Sequence, residues 1–303
     1  MAYFERIVFK QKEMKYIDKI YGEHEFSGVI EEIIQTNIFQ RLKKIHQGGS
    51  IFLVNPQINH TRFEHSIGVM LIIKKLGGSI EEQIAGLLHD ISHTAFSHLI
   101  DYVLDVEGED YHERRYVDVL KDNELNAVFE KYQLNGTVFI DIEKFKLLEY
   151  PLPYLSADRI DYTLRDMFQI GQVSLKEISW FINGLDSLDN RIVLKSKAYG
   201  EWFQEKYNFL TTEYFEGEEN IEINVIMKKI IKYCLGNGVI QEKDFFEDDF
   251  SLIDKINQKY NLMQWIDKIR GGELENNKLT TKKRIVDPEI IVNDQILPLS
   301  EVN

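Results

Sequence analysis

The sequence predicts a mainly α protein that carries a small α+β appendage at its C-terminal end. Apolar residues recur at three- and four-residue spacing through most of positions 28–234, the period of stacked amphipathic helices rather than of sheets. Capping signatures open several of those helices. After Gly236-Asn237-Gly238 the composition turns acidic over positions 242–254 and then to β-branched runs. These features divide the chain into a first domain at residues 1–235 and a small C-terminal unit at 236–303.

Local chemistry sets the individual elements. Thr61-Arg62-Phe63-Glu64 is a capping box that opens a helix carrying His65, Ile67, Val69 and Leu71, and Ser79-Ile80-Glu81-Glu82 opens the next, which ends at His89-Asp90. Further helices are expected at about 94–105, 111–121, 124–132 and 156–168. Another capping box, Ser174-Leu175-Lys176-Glu177, starts the following helix, and long helices run over roughly 197–214 and 219–234. Pro151 and Pro153 punctuate the approach to Asp158, and the segment Arg191–Leu194 reads as a short strand. Positions 283–286 and 290–292 are β-rich.

With 303 residues, 44% of them hydrophobic, the chain can bury a large core. Its net charge of −14 argues against a general nucleic-acid surface, because phosphate neutralisation needs clustered Lys and Arg. Cys234 is the only cysteine, which excludes a disulfide framework and a Cys-based zinc site and fits a reducing, cytoplasmic setting. The start, MAYFERIVFKQKEMKY, is too charged for a signal peptide, and no apolar run reaches 18 residues, so no membrane partner is expected.

Seven of the eight histidines fall between positions 46 and 112. Histidine is the commonest metal ligand and general acid/base, so the chemistry belongs to the first half. A lone His-Asp pair is equally well a helix C-terminus with a solvated Asp. Here, however, Ala85-Gly86-Leu87-Leu88-His89-Asp90-Ile91-Ser92-His93 delivers three ligand-type side chains from the end of an apolar helix. If that helix continues, His89 and His93 share one face and Asp90 projects about 100° away. The short Gly77-Gly78 connection makes the His65 helix an antiparallel neighbour. Asp158, in Ser156-Ala157-Asp158-Arg159-Ile160-Asp161-Tyr162, is the obvious further donor, since charges inside an apolar helix need partners. Imidazole with carboxylate suits a divalent Mn, Fe, Ni or Zn ion, with Mg possible at oxygen-rich positions. Arg159, Tyr162 and Asp166 follow at i, i+3 and i+7, a stripe able to meet one ligand. The competing reading of this helix is a structural ion-pair network, Asp161 with Arg165 for example.

Four ordered segments carry a resemblance: Thr61 to Val69, Leu87 to His93, Phe96-Ser97-His98 and Ser156 to Tyr162. Together with Phe39 to Gln47 they closely resemble the HD-domain deoxynucleoside triphosphate triphosphohydrolases over roughly residues 17–215. The resemblance implies an HD-domain helical fold and a metal held by His65, His89, Asp90 and Asp158. It implies that Arg62 and Arg159 grip phosphates and that His93, His98 and His112 line the phosphate chain as acid/base or oxyanion-stabilising groups. Asp101 then orients a histidine, and Gln47, Tyr162 and Asp166 are sugar-side contacts. A deoxynucleoside triphosphate substrate and a homo-oligomer are likewise implied. Other readings are phosphodiester or nucleoside monophosphate hydrolysis at the same centre, or a nucleotide-binding sensor subunit without turnover.

The departures from the family pattern are specific. Gly48 stands where the family has Leu, removing an apolar wall beside the sugar. Gln35 and Lys43 replace an acidic residue and an arginine that bind an effector nucleotide in regulated members. The second-half Arg and Tyr have no clean counterpart, Arg191, Lys195, Lys197 and Tyr199 being candidates. His24, His46 and His60 read as structural, and the aromatic run Trp202, Phe203, Tyr207, Phe209, Tyr214 and Phe215 reads as a subunit interface.

Overall fold

The computed structural model describes residues 13–106, 110–270, 284–293 and 295–302. A hairpin of β1 (Met14–Asp18) and β2 (Gly22–Phe26) leads into α1 (Gly28–Gln35) and the single turn α2 (Asn37–Gln40). Then come α3 (Arg62–Lys75), α4 (Ile80–Leu88), α5 (Leu99–Val103), α6 (Glu113–Val119) and α7 (Asn123–Lys131). After α8 (Ala157–Gln169) and α9 (Leu175–Gly184), strands β3 (Leu185–Leu188) and β4 (Arg191–Leu194) precede α10 (Lys197–Phe209) and α11 (Glu218–Gly236). The chain continues through α12 (Asp249–Asn257), α13 (Leu262–Arg270), β5 (Glu289–Val292) and β6 (Gln295–Pro298). The fold is thus mainly α, with a small sheet near the C-terminal end. That sheet has the order β3-β4-β5-β6, β5 lying parallel to β4 through Leu194 and Ile290.

Helix α3 is the centre of the molecule. Eleven of its residues, from Arg62 to Ile73, are buried, as expected of a helix enclosed on every side. Its start is fixed by the capping box, in which the Thr61 amide donates to Glu64 Oε2 at 2.8 Å. Glycines let its neighbours approach. A Cβ on Gly86 would meet Ile73 Cδ1 at 2.7 Å, and a Cβ on Gly68 would lie 1.9 Å from Asp161 Oδ1 and 2.3 Å from Arg165. The first contact sets α4 against α3 and the second sets α8 against it. Through these two contacts His65, the end of α4 and the start of α8 come together.

One apolar core surrounds α3, α4, α8 and α10, with Ile67, Met70, Leu87, Ile160, Leu164 and Phe203 at its middle. A second joins Phe96, Leu99 and Val103 to Ile226 and Ile230 of α11 and to Leu252 and Ile266 of α12 and α13. The segment after Gly236 therefore packs on residues near position 100 as well as on its own.

Several predicted bounds shift for stated reasons. The helix carrying His89 stops at Leu88, with His89 as its C-cap, so His93 does not continue it. The helix expected from 94 begins at Leu99, because Phe96 (φ 57°) and Ser97 (φ 52°) occupy the left-handed region, which L side chains rarely extend into a helix. The helix over 197–214 passes at Leu210 into a π-helical turn, Leu210–Phe215. Of the β-rich positions 283–286, Lys283 lies outside the described residues and 284–286 form no strand. Among the described residues no helix is long and apolar enough to cross a membrane.

Gly68→Ala is expected to cost at least about 1–3 kcal/mol, the cost of overpacking a dense interface. Gly236→Ala, at a helix end with no atom within 4 Å of the added Cβ, should stay within about 1 kcal/mol of the parent. Urea denaturation of the two variants measures the difference, and equal midpoints would contradict the account of α3 packing.

Candidate metal centre

Three helices bring two imidazoles and two carboxylates to one point. His65 Nε2 on α3 lies 3.2 Å from His89 Nε2 at the end of α4 and 3.0 Å from Asp158 Oδ1 in the first turn of α8. His89 Nε2 is 3.6 Å from the same Asp158 oxygen. Asp90 completes the set, one oxygen 3.5 Å from His65 Nε2 and the other 3.5 Å from His89 Nε2.

The orientation of each imidazole is determined from behind. His89 Nδ1 donates to the Gly86 carbonyl at 2.8 Å, which turns its Nε2 towards the centre. His65 Nδ1 donates to Asp161 Oδ2 at 2.8 Å. Arg165 grips Asp161 with Nε and Nη2, at 3.0 and 2.9 Å, and reaches Asp18 of β1 at 3.2 Å, all three side chains being fully or nearly fully buried. Burial raises the Asp161 carboxyl, but Arg165 and His65 together outweigh it and hold the group below its ordinary range. This backing of a ligand imidazole by a carboxylate is the arrangement that fixes ring orientation and raises ligand basicity in metal sites.

The donor set fits a divalent cation. With Nδ1 engaged on both rings, two Nε2 atoms at 3.2 Å point at one another and at two carboxylates, so a positive species belongs between them. Electrostatics agrees. Burial disfavours protonated His65, yet its hydrogen bonds to Asp158 and Asp161, with the Asp161 and Asp90 charges, overcome that and push the ring up to about 9. Burial likewise raises Asp158, and its bonds with His65 and His89 pull it far below the usual carboxylate range.

The centre opens on a cavity of about 810 Å³, large enough for a nucleotide-sized ligand. Gln47, Arg62, His93, His98, His112, Arg159, Tyr162 and Asp166 all line it. His93 stacks on His112 with centroids 3.8 Å apart, and His98 meets both edge-on. Burial, then the Arg62 charge, holds His93 well below its ordinary range, and burial, then His98, pulls His112 down to about 3. Asp101 lies behind, 3.3 Å from His98 Nδ1, while its other oxygen accepts from the Tyr111 amide at 2.8 Å. His98, Asp101 and His112 form a second group whose ligand-type atoms lie within 4.8 Å of one another.

The two arginines are more occupied than the sequence suggests. Arg62 donates to Asp90 Oδ2 at 2.6 Å and to Ser97 Oγ at 3.0 Å. Arg159 Nη1 donates to the Tyr150 and Tyr154 carbonyls of the proline-punctuated loop, at 3.1 and 2.5 Å. Tyr162 donates to Tyr207 at 3.2 Å. The competing ion-pair reading of α8 is also realised, since Asp161 pairs with Arg165 on the face turned to α3.

None of the second-half candidates lines the cavity. Arg191 pairs with Glu289 at 2.8 Å, Lys195 donates to the Asn183 carbonyl, Lys197 faces Glu201 and Tyr199 stacks on Trp180. Tyr207, Tyr214 and Arg284 stand there instead. Of the aromatic run, Phe203 and Tyr207 are buried within the chain's own core. Sequence reasoning also missed Glu149, a cavity residue pushed up to about 7 by burial and the nearby Asp158 charge. It missed two supports as well. Arg41 Nη2 donates to the Ile91 and His93 carbonyls at 2.8 and 2.9 Å, holding the turn after His89. Buried Asp249 accepts from the His46 and Phe96 amides and from His46 Nδ1, so His46 is structural as expected. Glu149 alone stood out as a charge between apolar residues, whereas Asp249 is one of several acids in the stretch 242–254 and Arg41 lies in a basic one.

Residues 62–142 match the HD domain model. The uncharacterized protein YdhJ of Bacillus subtilis is 39% identical over 300 residues, covering 96% of this chain and 92% of that protein. The chain belongs to the HD-domain family. The metal-dependent phosphohydrolase cns2 of Cordyceps militaris is 39% identical over 170 residues, 55% of this chain and 49% of that protein. The deoxynucleoside triphosphate triphosphohydrolase SAMHD1 homolog of Dictyostelium discoideum is 26% identical over 324 residues, 92% of this chain and 61% of that protein. This HD-domain chain thus spans about half the length of the fungal relative and less than two thirds of the amoebal one. Family and donor set together support a metal-dependent phosphohydrolase.

Asp161→Asn should weaken the affinity for Mn by about 10–100-fold, the usual effect of removing a group that backs a ligand imidazole. His89→Ala should abolish tight binding. Calorimetric titration of the metal-free protein reads both, and an unchanged Mn affinity in Asp161→Asn would contradict the orienting role of the buried carboxylate.

Proposed function

We propose that this HD-domain protein is a metal-dependent nucleotide phosphohydrolase that cleaves a deoxynucleoside triphosphate to deoxynucleoside and tripolyphosphate. The observation that carries the reading is the position of the donor set at the wall of one cavity, with basic and imidazole groups on one side and hydroxyl-binding groups on the other. A divalent cation held by His65, His89, Asp90 and Asp158 would supply Lewis-acid neutralisation of charge at the phosphoryl group.

The chain's own residues supply the rest. Arg62, anchored on Asp90 and Ser97, presents its guanidinium along the cavity to the phosphates. His93 and His112 are kept neutral by burial, so they act as hydrogen-bond donors to phosphate oxygens rather than as acids. His98, with Asp101 behind its Nδ1, is the group suited to deliver a proton to the leaving oxygen. Water adds to the α-phosphorus, the bond from phosphorus to the 5′-oxygen breaks, and that oxygen takes the proton. The products are a nucleoside 5′-hydroxyl and tripolyphosphate.

One observation favours a second reading, hydrolysis of a monophosphate or phosphodiester. The donors of Arg159 are directed at loop carbonyls and those of Arg62 at Asp90 and Ser97, which leaves less positive charge for a chain of three phosphates.

Chromatographic identification of products from metal-loaded protein decides between them. Free tripolyphosphate is expected from deoxynucleoside triphosphates, and inorganic phosphate or monophosphate would favour the second reading. Asp90→Ala should reduce turnover to background, and His98→Ala should lower kcat by about 10²–10⁴-fold, the range for loss of a general acid. Wild-type kcat in His98→Ala would remove His98 from the proposal.

A further inference from the structure

The wall of the cavity away from the metal centre holds buried polar groups, some of them without a hydrogen-bond partner among the described residues. Asp158, Tyr162 and Asp166 follow at four-residue intervals along α8, which sets Asp166 about 12 Å down the helix from the metal ligand. Asp166 is only 3% exposed. Its Oδ1 contacts His60 Nε2 at 2.8 Å, close enough for an ion pair but outside hydrogen-bond geometry. Gln47 Oε1 and the Tyr214 hydroxyl are also buried and unpartnered. Buried polar atoms are satisfied in the great majority of cases, so several orphans on one cavity wall mark where a ligand binds. A carboxylate among them repels phosphate and accepts from hydroxyl groups.

Gly48 decides which hydroxyl pattern fits. An added Cβ there would lie 3.0 Å from Ile51 Cγ2 and 3.4 Å from the Tyr214 hydroxyl, so any side chain would pack onto that phenol. With glycine no side chain of residue 48 packs onto the hydroxyl, and the π-helical turn Leu210–Phe215 carries it to the cavity wall. The wall then offers a phenol that can donate or accept beside a carboxylate and an amide oxygen that accept. A sugar with a single ring hydroxyl satisfies part of this set. A vicinal diol satisfies more of it, one hydroxyl on the carboxylate and its neighbour on the phenol.

We propose that Gly48, Tyr214 and Asp166 form a pocket for a vicinal diol, so that this chain hydrolyses ribonucleotides at least as well as their 2′-deoxy counterparts. The inference rests on the reading of the site as a nucleotide phosphohydrolase and extends its substrate class.

The test is kcat/KM of the full-length, Mn-loaded protein for the four ribonucleoside triphosphates and their matched 2′-deoxy forms, with products identified by chromatography. The expected ratio of ribo to deoxy is about one or higher. Tyr214→Phe keeps the ring and removes the hydroxyl, and it should lower that ratio about tenfold, the discrimination typical of one buried hydrogen bond. Gly48→Ala should lower it in the same direction. A wild-type ratio below about one tenth, or a ratio that neither variant moves, overturns the diol pocket while leaving the nucleotide reading intact. If neither series yields a hydrolysis product, the nucleotide reading itself fails, and the pocket assignment falls with it.

Discussion

His65 is wholly buried and must present Nε2, not Nδ1, to the point where three helices meet. The hydrogen bond from its Nδ1 to Asp161 imposes that choice, and Asp161 stays a carboxylate because Arg165 and His65 compensate its charge, while Asp18 holds Arg165 from the other side. Breaking a buried ion pair by removing one partner costs about 3–5 kcal/mol, so this network resists loss of any member. The same three side chains tie the N-terminal hairpin to α8 across α3. Fold and site therefore share one set of interactions.

Dense packing delivers the remaining donors. Gly68 and Gly86 let α8 and α4 approach α3 so closely that an added Cβ would force neighbouring side chains to shift, and the ends of those helices then fall beside His65. After His89 the chain cannot run on as a helix, since Asp90 must face inward and His93 must turn to the cavity. The turn is stabilised by Arg41 donating to the Ile91 and His93 carbonyls just beyond the helix. Left-handed backbone at Phe96 and Ser97, anchored by Asp249 and by the Ser97 bond to the His46 carbonyl, then aims His98 at the other imidazoles. Strained backbone of this kind persists where surrounding bonds over-determine it, commonly at functional sites.

The cavity is electrostatically divided. Beside the centre, burial first, and then Arg62 and neighbouring imidazoles, keep His93 and His112 neutral. Further along α8 stand a carboxylate, two tyrosines and a glutamine oxygen, with a glycine where a side chain would otherwise cover them. A ligand suited to both ends carries negative charge at one and hydroxyl groups at the other. A nucleotide has that polarity.

By itself the sequence determined the helical class, because a 3.6-residue apolar period and capping boxes at Thr61 and Ser174 are local properties. It also singled out His65, His89, Asp90 and Asp158, since ligand-type side chains inside apolar helices stand out without any knowledge of the fold. Tertiary structure decided what depends on contacts between distant segments. That the Asp161–Arg165 pair backs His65 became visible only with α3 and α8 side by side. Asp249 pins a loop some 200 positions earlier in the chain, and the Tyr214 hydroxyl comes to lie beside Gly48. Periodicity and spacing report a residue's own helix, whereas orientation, protonation and cavity shape arise from residues that are neighbours only after folding.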